Sequence, residues 1–268
     1  MEWWLIYLLL GAGVGFLAGL LGIGGGLVIV PVLAYIFTAQ DFPSDRILHL
    51  ALGTTMATII FTSLASLRMH HAHGAVNWWI VRYLAPGIIL GTLAGSTFAG
   101  QLSTEVLGII FVIFIYYAAT QMWLNITPTS RHALPGKFGM VSAGSLIGVL
   151  SSLVAIGGGI LTVPFLSMCN VKLQYAIGTA AAVGFPIAVA GTIGYIINGL
   201  LQTQLLPAYS LGYVYLPALV WIAVASMLTA PLGARATHRM QTATLRKIFV
   251  ALLYFLGTKM LFNLFYAL

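Results

Sequence analysis

Two glycine clusters have the composition and surroundings of an anion site built from backbone groups. Each leads into a short apolar segment that contains proline. The clusters are Gly24, Gly25 and Gly26 in the first half, and Gly157, Gly158 and Gly159 in the second. Free N–H groups at a helix start, with the positive end of the helix dipole, bind anions without a charged side chain, and glycine lets a ligand approach the backbone. The clusters predict a site for a small anion; the alternative is a pair of structural turns.

Threonine hydroxyls downstream of each cluster are candidates to complete this site. Thr54 and Thr179 end two similar tetrapeptides, Ala-Leu-Gly-Thr and Ala-Ile-Gly-Thr, and Thr55 follows Thr54 directly. Because a hydroxyl donates a hydrogen bond to an oxyanion, all three threonines are predicted to contact the substrate. The alternative is that each hydroxyl bonds to a carbonyl of its own helix.

Two residues at corresponding positions late in each half are further candidates for the site. Lys259 lies well inside a long apolar segment, and Gln121 occupies the same place in the first half. A charge within a membrane segment indicates a functional role by default. The alternative is that the Lys259 ammonium extends outward to the membrane surface.

Other kinds of chemistry lack the residues that they need. No Asp or Glu lies within a span, and neither a His-Glu-x-x-His zinc motif nor a Gly-x-Ser-x-Gly nucleophile motif occurs. His70, His71 and His73 lie in a basic loop without acidic or cysteine partners and are interpreted as solvated, and Cys169 stands alone. We therefore expect no catalytic residues, no metal and no cofactor.

The elements that must position these residues are membrane helices. Hydrophobic residues make up 60% of the chain and charged residues only 6%, whereas a soluble domain carries about 25% charged residues. Three apolar segments in each half reach about 20 residues, enough to cross a hydrocarbon core of roughly 30 Å. The first two segments of each half flank a glycine cluster and are predicted to form a bent or re-entrant helix pair. The prediction is an all-α polytopic membrane protein.

The two halves of the chain are duplicates of one another. The segment 22–31 returns with substitutions as 155–164. Further landmarks align in the same order: 51–54 with 176–179, 83–86 with 215–217, and 120–122 with 258–260. The first membrane repeat is predicted to span 1–124, a cytoplasmic linker 125–137, and the second membrane repeat 138–268.

The distribution of charge between loops predicts that the repeats have inverted topology. The loop between the third and fourth segments is basic in the first half, 68–82, and uncharged in the second, 199–212. The loop after the fourth segment has no basic residue at 100–104 and four at 234–247. Cytoplasmic loops collect Lys and Arg, so equivalent loops are expected on opposite membrane faces, with the linker cytoplasmic and both termini on the other side.

Glycines spaced four residues apart indicate where helices pack closely. Such stripes occur at Gly11, Gly15 and Gly19 in the first segment and at Gly87, Gly91 and Gly95 in the fourth. In lipid, small residues let helix backbones approach one another. A packing role, rather than contact with a substrate, is predicted for all six.

Three sequence motifs resemble those of one known family. The duplicated Gly-Ile-Gly-Gly-Gly-x-x-x-Val-Pro segment, the Ala-Leu-Gly-Thr segment and the stretch 73–78 are similar to the TauE/SafE sulfite exporter family, also named the toluene sulfonate uptake permease family. The resemblance covers nearly the whole chain, with Ala155 in place of the first glycine in the second copy. It implies a bacterial-type inner-membrane transporter of sulfite, sulfoacetate or other small sulfur-containing anions.

The expected function is therefore secondary transport of a small sulfur-containing oxyanion, such as sulfite or an organosulfonate, across the cytoplasmic membrane, as an exporter or a facilitator. One alternative is an anion channel of the same architecture, and a less supported one is an intramembrane enzyme or electron-transfer subunit. Saturable flux and counterflow separate a transporter from a channel. The expected partners are the anion and the lipid bilayer, with a homodimer left open and no nucleic acid.

Overall fold

The computed structural model describes residues 2–21, 25–124, 133–202, 206–236 and 242–266. Within these residues the chain is almost entirely helical, which confirms the predicted fold class. The elements are α1 (Trp3–Leu21), α2 (Gly26–Ala39), α3 (Ile47–Ala72), α4 (Trp78–Gln101), α5 (Thr104–Leu124), α6 (Lys137–Val154), α7 (Gly159–Met168), α8 (Leu173–Leu200), β1 (Ser210–Leu211), β2 (Val214–Tyr215), α9 (Leu216–Ala236) and α10 (Thr242–Tyr266). The predicted linker falls mainly on 125–132, outside the described residues.

Seven of these helices are long and apolar enough to cross a membrane by length and composition: α3, α4, α5, α6, α8, α9 and α10. The chain is therefore a polytopic membrane protein, as predicted. The three long helices expected in each half are present. The seventh candidate span is α6, whose 18 residues together are long and apolar enough to cross. At 14 and 10 residues, α2 and α7 are too short to cross alone.

Each glycine cluster lies at the break of a bent helix pair. The Gln40 side-chain amide, just after α2, donates to the Tyr7 hydroxyl near the start of α1 at 2.8 Å, so α2 runs back along α1. In the second half α6 ends at Val154, and the next residue, Ala155, is left-handed with a φ of 47°. Such a position after a helix usually holds glycine, as the matching position 22 does. From Gly158, beside Ala180, α7 then runs back toward the start of α8.

The equivalent helices α3 and α8 run antiparallel through the centre of the protein. Gly53 lies next to Tyr195 at one end of their contact, and Ser63 lies next to Gly184 further along. Most of both helices is buried inside the protein. An antiparallel relation between equivalent helices is required by an inverted repeat.

The equivalent helices α5 and α10 make reciprocal contacts. The Tyr116 and Thr258 hydroxyls are hydrogen-bonded at 2.7 Å, and so are the Thr120 and Tyr254 hydroxyls, also at 2.7 Å. Because Thr120 aligns with Thr258 in the duplicated sequence, the two bonds are exchanged copies of one contact, as an approximate two-fold axis requires. These reciprocal bonds are the contacts that the predicted duplication requires.

The two halves are interleaved, since α1 packs along α9 and α6 packs along α4. A methyl group added at Gly15 would overlap Ser226, and one added at Gly91 would overlap Ser145. The same close approach to the facing helix is found at Gly11, Gly87 and Gly95. The predicted packing role is confirmed for these five glycines, and the surroundings of Gly19 lie outside what the structure describes.

One landmark of the sequence alignment is wrong. Tyr215 directly precedes α9, and the residue that directly precedes α4 is Asn77. Tyr215 is therefore the counterpart of Asn77, whereas Tyr83 lies inside α4. The shared tyrosine, leucine and proline suggested otherwise, but Pro217 lies in the first turn of α9 and Pro86 lies more than two turns into α4.

Charge is divided between the two ends of the helix bundle. The end where α1, α3 and α5 begin, which we name the acidic end, carries all four acidic residues of the chain: Glu2, Asp41, Asp45 and Glu105. The opposite end, where α4, α6, α8 and α10 begin, is the basic end and carries Arg68, Arg82, Lys137, Lys172, Arg246 and Lys247. Arg46 lies at the acidic end, where it pairs with Asp45 at 3.2 Å.

Candidate functional site

The two glycine clusters meet inside the protein. A methyl group added at Gly26 would overlap the main-chain carbonyl of Ala155, which lies two residues before the second cluster. The Ile59 side chain of α3 touches both clusters, at 3.3 Å from a methyl group added at Gly26 and 3.2 Å from one added at Gly157. The breaks of the two bent pairs therefore lie against each other beside α3, and Gly24 lies outside the described residues.

The short helices α2 and α7 both begin at this meeting point without a side-chain cap. The Gly25 carbonyl accepts from the Ile29 N–H at 3.0 Å, and the Gly158 carbonyl accepts from the Thr162 N–H at 2.8 Å. The Gly159 N–H turns back to the carbonyl of Gly157. The first N–H groups of a helix have no acceptor within it, so two uncapped helix starts bring N–H groups and positive dipole ends to one interior region.

Little space is left around Gly158. A methyl group there would lie 2.8 Å from the Ala180 carbonyl oxygen and 3.2 Å from the Val183 side chain of α8. Glycine is therefore required for α7 to begin this close to the backbone of α8.

Thr54 and Thr179 bind the backbone of the opposite half. The Thr54 hydroxyl oxygen accepts from the Tyr215 N–H at 2.9 Å, and the Thr179 hydroxyl oxygen accepts from the Asn77 N–H at 3.0 Å. Both N–H groups directly precede a helix, and both hydroxyls are completely buried. These paired contacts join the halves; contact of either threonine with a substrate stays a prediction.

Substituting Thr54 by valine tests this joining contact. Thr54→Val leaves the half-buried Tyr215 N–H without its acceptor, which should lower the free energy of unfolding by about 1 kcal/mol. The matched control is Thr58→Val, because the Thr58 hydroxyl only donates to the Thr54 carbonyl of its own helix at 2.9 Å. Thermal unfolding of the purified protein in detergent provides the measurement. A Thr54→Val variant as stable as the control but unable to transport would assign the hydroxyl to the substrate instead.

Thr55 differs from its neighbour Thr54. Its side chain is fully buried, and its hydroxyl has no hydrogen-bond partner among the described residues. Ser151 in the last turn of α6 and Thr162 in α7 share both properties. Neither residue was predicted from the sequence, although Thr162 is a polar residue where the first copy of the motif has Ile29.

Lys259 and Gln121 occupy different surroundings. The Lys259 side chain is exposed, and its ammonium lies 4.0 Å from the centre of the Tyr35 ring of α2, a cation–π contact. Gln121 is half-buried on α5. The Tyr35 ring gives the Lys259 charge a partner at the protein surface, and a role for either residue in binding the substrate stays a prediction.

A buried tyrosine covers the start of α3 at the acidic end. The Tyr213 ring lies against His49 with the ring centres 5.0 Å apart, and the Arg46 guanidinium donates to the Tyr213 hydroxyl at 3.3 Å. Burial raises the pKa of Tyr213, although Arg46 acts in the opposite direction. The phenol is therefore neutral at physiological pH, and its contacts with Arg46 and His49 hold the hairpin of β1 and β2 on α3. The described first half has no strands that correspond to this hairpin.

Comparison with known proteins gives a consistent result. A profile of the family described as sulfite exporter TauE/SafE matches residues 7–260. A probable membrane transporter protein of Haemophilus influenzae is 41% identical over 259 residues, 96% of this chain and 97% of the relative. Another of Methanocaldococcus jannaschii is 28% identical over 266 residues, covering 96% and 94%. One of Bacillus subtilis is 24% identical over 239 residues, covering 87% and 89%. No solved structure matches.

Proposed function

Because this chain belongs to the TauE/SafE sulfite exporter family and is a membrane transporter, we propose that it carries a small sulfur-containing oxyanion, sulfite or an organosulfonate, across the cytoplasmic membrane. The observation that carries the proposal is the meeting of two uncapped helix starts beside Ile59. Their N–H groups and dipoles favour an anion, and they do so without a fixed cation that would hold it too tightly to release.

In this proposal the substrate binds where the glycine clusters meet. The N–H groups that begin α2 and α7 contact the anion, and Gly25, Gly26, Gly158 and Gly159 keep side chains out of its way. The two halves then rock about the antiparallel pair α3 and α8, which exposes the site to each side of the membrane in turn. Alternating exposure needs two repeats that move relative to each other, which a single repeat does not provide.

We further propose that the repeats, 1–124 and 138–268, have inverted topology. The antiparallel pairing of α3 with α8 and of α5 with α10 supports the inversion. The separation of charge supports an orientation in which the basic end faces the cytoplasm. Arg46 is compatible with the outer side because Asp45 pairs with it.

A topology reporter tests this orientation. A reporter fused after Gly100, at the end of α4, should lie outside the cytoplasm, and one fused after Ala236, at the end of the equivalent α9, should lie inside it. Alkaline phosphatase and green fluorescent protein fusions at the two sites give opposite readouts. If both sites report the same side, the repeats are not inverted.

Reconstitution of the purified protein tests the substrate class. Uptake into proteoliposomes should be saturable for one or more of sulfite, thiosulfate, taurine and methanesulfonate, and should show counterflow when unlabelled substrate is loaded inside. Flux that neither saturates nor shows counterflow would indicate an anion channel. Transport of none of these anions would exclude the proposed substrate class.

A further inference from the structure

Three buried hydroxyls next to the glycine clusters lack the bond that other hydroxyls of these helices make. Thr58 on α3 and Ser145 on α6, for example, donate to a carbonyl of their own helix at 2.9 and 3.1 Å. The exceptions are Thr55, Ser151 and Thr162, which are fully buried and have no partner among the described residues. A buried hydroxyl is costly to leave unbonded, so these three hydroxyls are available to a bound ligand.

Two of the exceptions flank the second glycine cluster directly. The Ser151 carbonyl accepts from the Ile156 N–H at 3.1 Å, which holds the last turn of α6 against the loop that contains the cluster. The Thr162 N–H donates to the Gly158 carbonyl at 2.8 Å, which places Thr162 in the first turn of α7. Both hydroxyls therefore belong to the two helix turns that border the break.

Thr55 approaches the same region from α3. It lies one turn before Ile59 on the same face of that helix, and Ile59 touches both glycine clusters. Hydroxyls from three different helices, α3, α6 and α7, thus border the point where the clusters meet. No single helix supplies more than one of them.

The hydroxyls are not repeated by the internal duplication. The counterparts of Thr55, Ser151 and Thr162 in the other half are Ala180, Ala18 and Ile29. The hydroxyl set is therefore present once per chain, although the glycine clusters are present twice. One ligand per chain is expected.

We propose that Thr55, Ser151 and Thr162 donate hydrogen bonds to the three oxygens of a pyramidal SO₃ group, the head that sulfite and organosulfonates share. The inference rests on the proposed function and names the groups that select its substrate. A hydroxyl is a donor to an acceptor-only oxyanion, and three donors on three helices match three oxygens around one sulfur. A carboxylate has only two oxygens and leaves one buried donor unbonded, so it should bind more weakly.

The test measures binding to the purified full-length chain in detergent by isothermal titration at constant ionic strength. The ligands are sulfite, methanesulfonate and, as a two-oxygen control, acetate. The variants are Thr55→Val, Ser151→Ala and Thr162→Val, with Thr192→Val as the matched control, because the Thr192 hydroxyl bonds within its own helix. Each of the three variants should raise the Kd for sulfite and methanesulfonate about tenfold, and Thr192→Val should leave it unchanged.

Thermal unfolding without ligand separates binding from a structural role. Removing an unbonded buried hydroxyl should leave the melting temperature unchanged or raise it, whereas removing a hydroxyl that holds the fold together should lower it. Wild-type affinity in all three variants, or a lower melting temperature in each, would overturn this inference and leave the proposed function intact. If the wild-type chain binds neither sulfite nor methanesulfonate, both the inference and the proposed substrate class are overturned.

Discussion

Gly26→Ala is expected to reduce the rate of transport by one to two orders of magnitude. The added methyl group would overlap the main-chain carbonyl of Ala155, and neither backbone can move without shifting its own bent helix pair. Overpacking of this kind costs about 1–3 kcal/mol, and every 1.4 kcal/mol corresponds to about tenfold in an equilibrium. The measurement is the initial rate of sulfite uptake into proteoliposomes, per mole of inserted protein.

Two further variants show whether the loss arises from the contact between the clusters. Gly13→Ala is the control, because no atom of the part of the chain that the structure describes lies within 4 Å of its added methyl group. Gly157→Ala should cause a smaller loss, since among the described residues its methyl group meets only the Ile59 Cγ2 atom, at 3.2 Å. Ile59→Leu removes that branch and should restore transport in the Gly157→Ala variant. Transport by Gly26→Ala at the rate of Gly13→Ala would identify the clusters as ordinary turns.

Much of this architecture was accessible from sequence because its signals are local and repeated. The glycine stripes predicted the close helix contacts, since a residue without a side chain has few other uses in an apolar helix. The two glycine clusters predicted the breaks of the bent pairs. The alignment of Thr120 with Thr258 predicted that these positions are equivalent, and the structure then shows reciprocal hydrogen bonds at them. Each of these inferences needed only a short pattern and its copy in the other half.

The roles of the individual hydroxyls were not accessible in the same way. Thr54 and Thr55 are adjacent and chemically identical, yet the Thr54 hydroxyl oxygen binds an N–H group 161 residues away, and the Thr55 hydroxyl has no partner among the described residues. Helix rotation and the interleaving of the halves decide this difference, and neither leaves a local pattern. The false pairing of Tyr83 with Tyr215 has the same origin, because the helix starts and the contacts of Thr54 and Thr179 in the folded chain show that Tyr215 corresponds to Asn77.

The position of the acidic residues bears on how transport is driven. All four lie at the acidic end and none lies near the meeting point of the glycine clusters, so a carboxylate relay, common in proton-coupled carriers, has no evident members. The groups proposed to hold the substrate are neutral N–H and O–H donors. An anion bound by neutral groups crosses the membrane with its charge uncompensated, and transport should therefore be electrogenic.

The membrane potential should consequently control both the rate and the direction of flux. A potential of 100 mV acts on one elementary charge with roughly 2.3 kcal/mol, which is enough to hold a gradient of a monovalent anion of about fiftyfold. With the cell interior negative, this force drives the anion outward, so uncoupled movement favours export and import requires a co-ion. In proteoliposomes clamped with potassium and valinomycin at equal pH on both sides, an inside-positive potential should accelerate sulfite uptake and an inside-negative potential should suppress it. Liposomes without protein under the same clamp provide the control. Flux that ignores the potential but follows a pH gradient would overturn uncoupled anion transport, and would assign the coupling to a proton carried by the substrate or by Lys259.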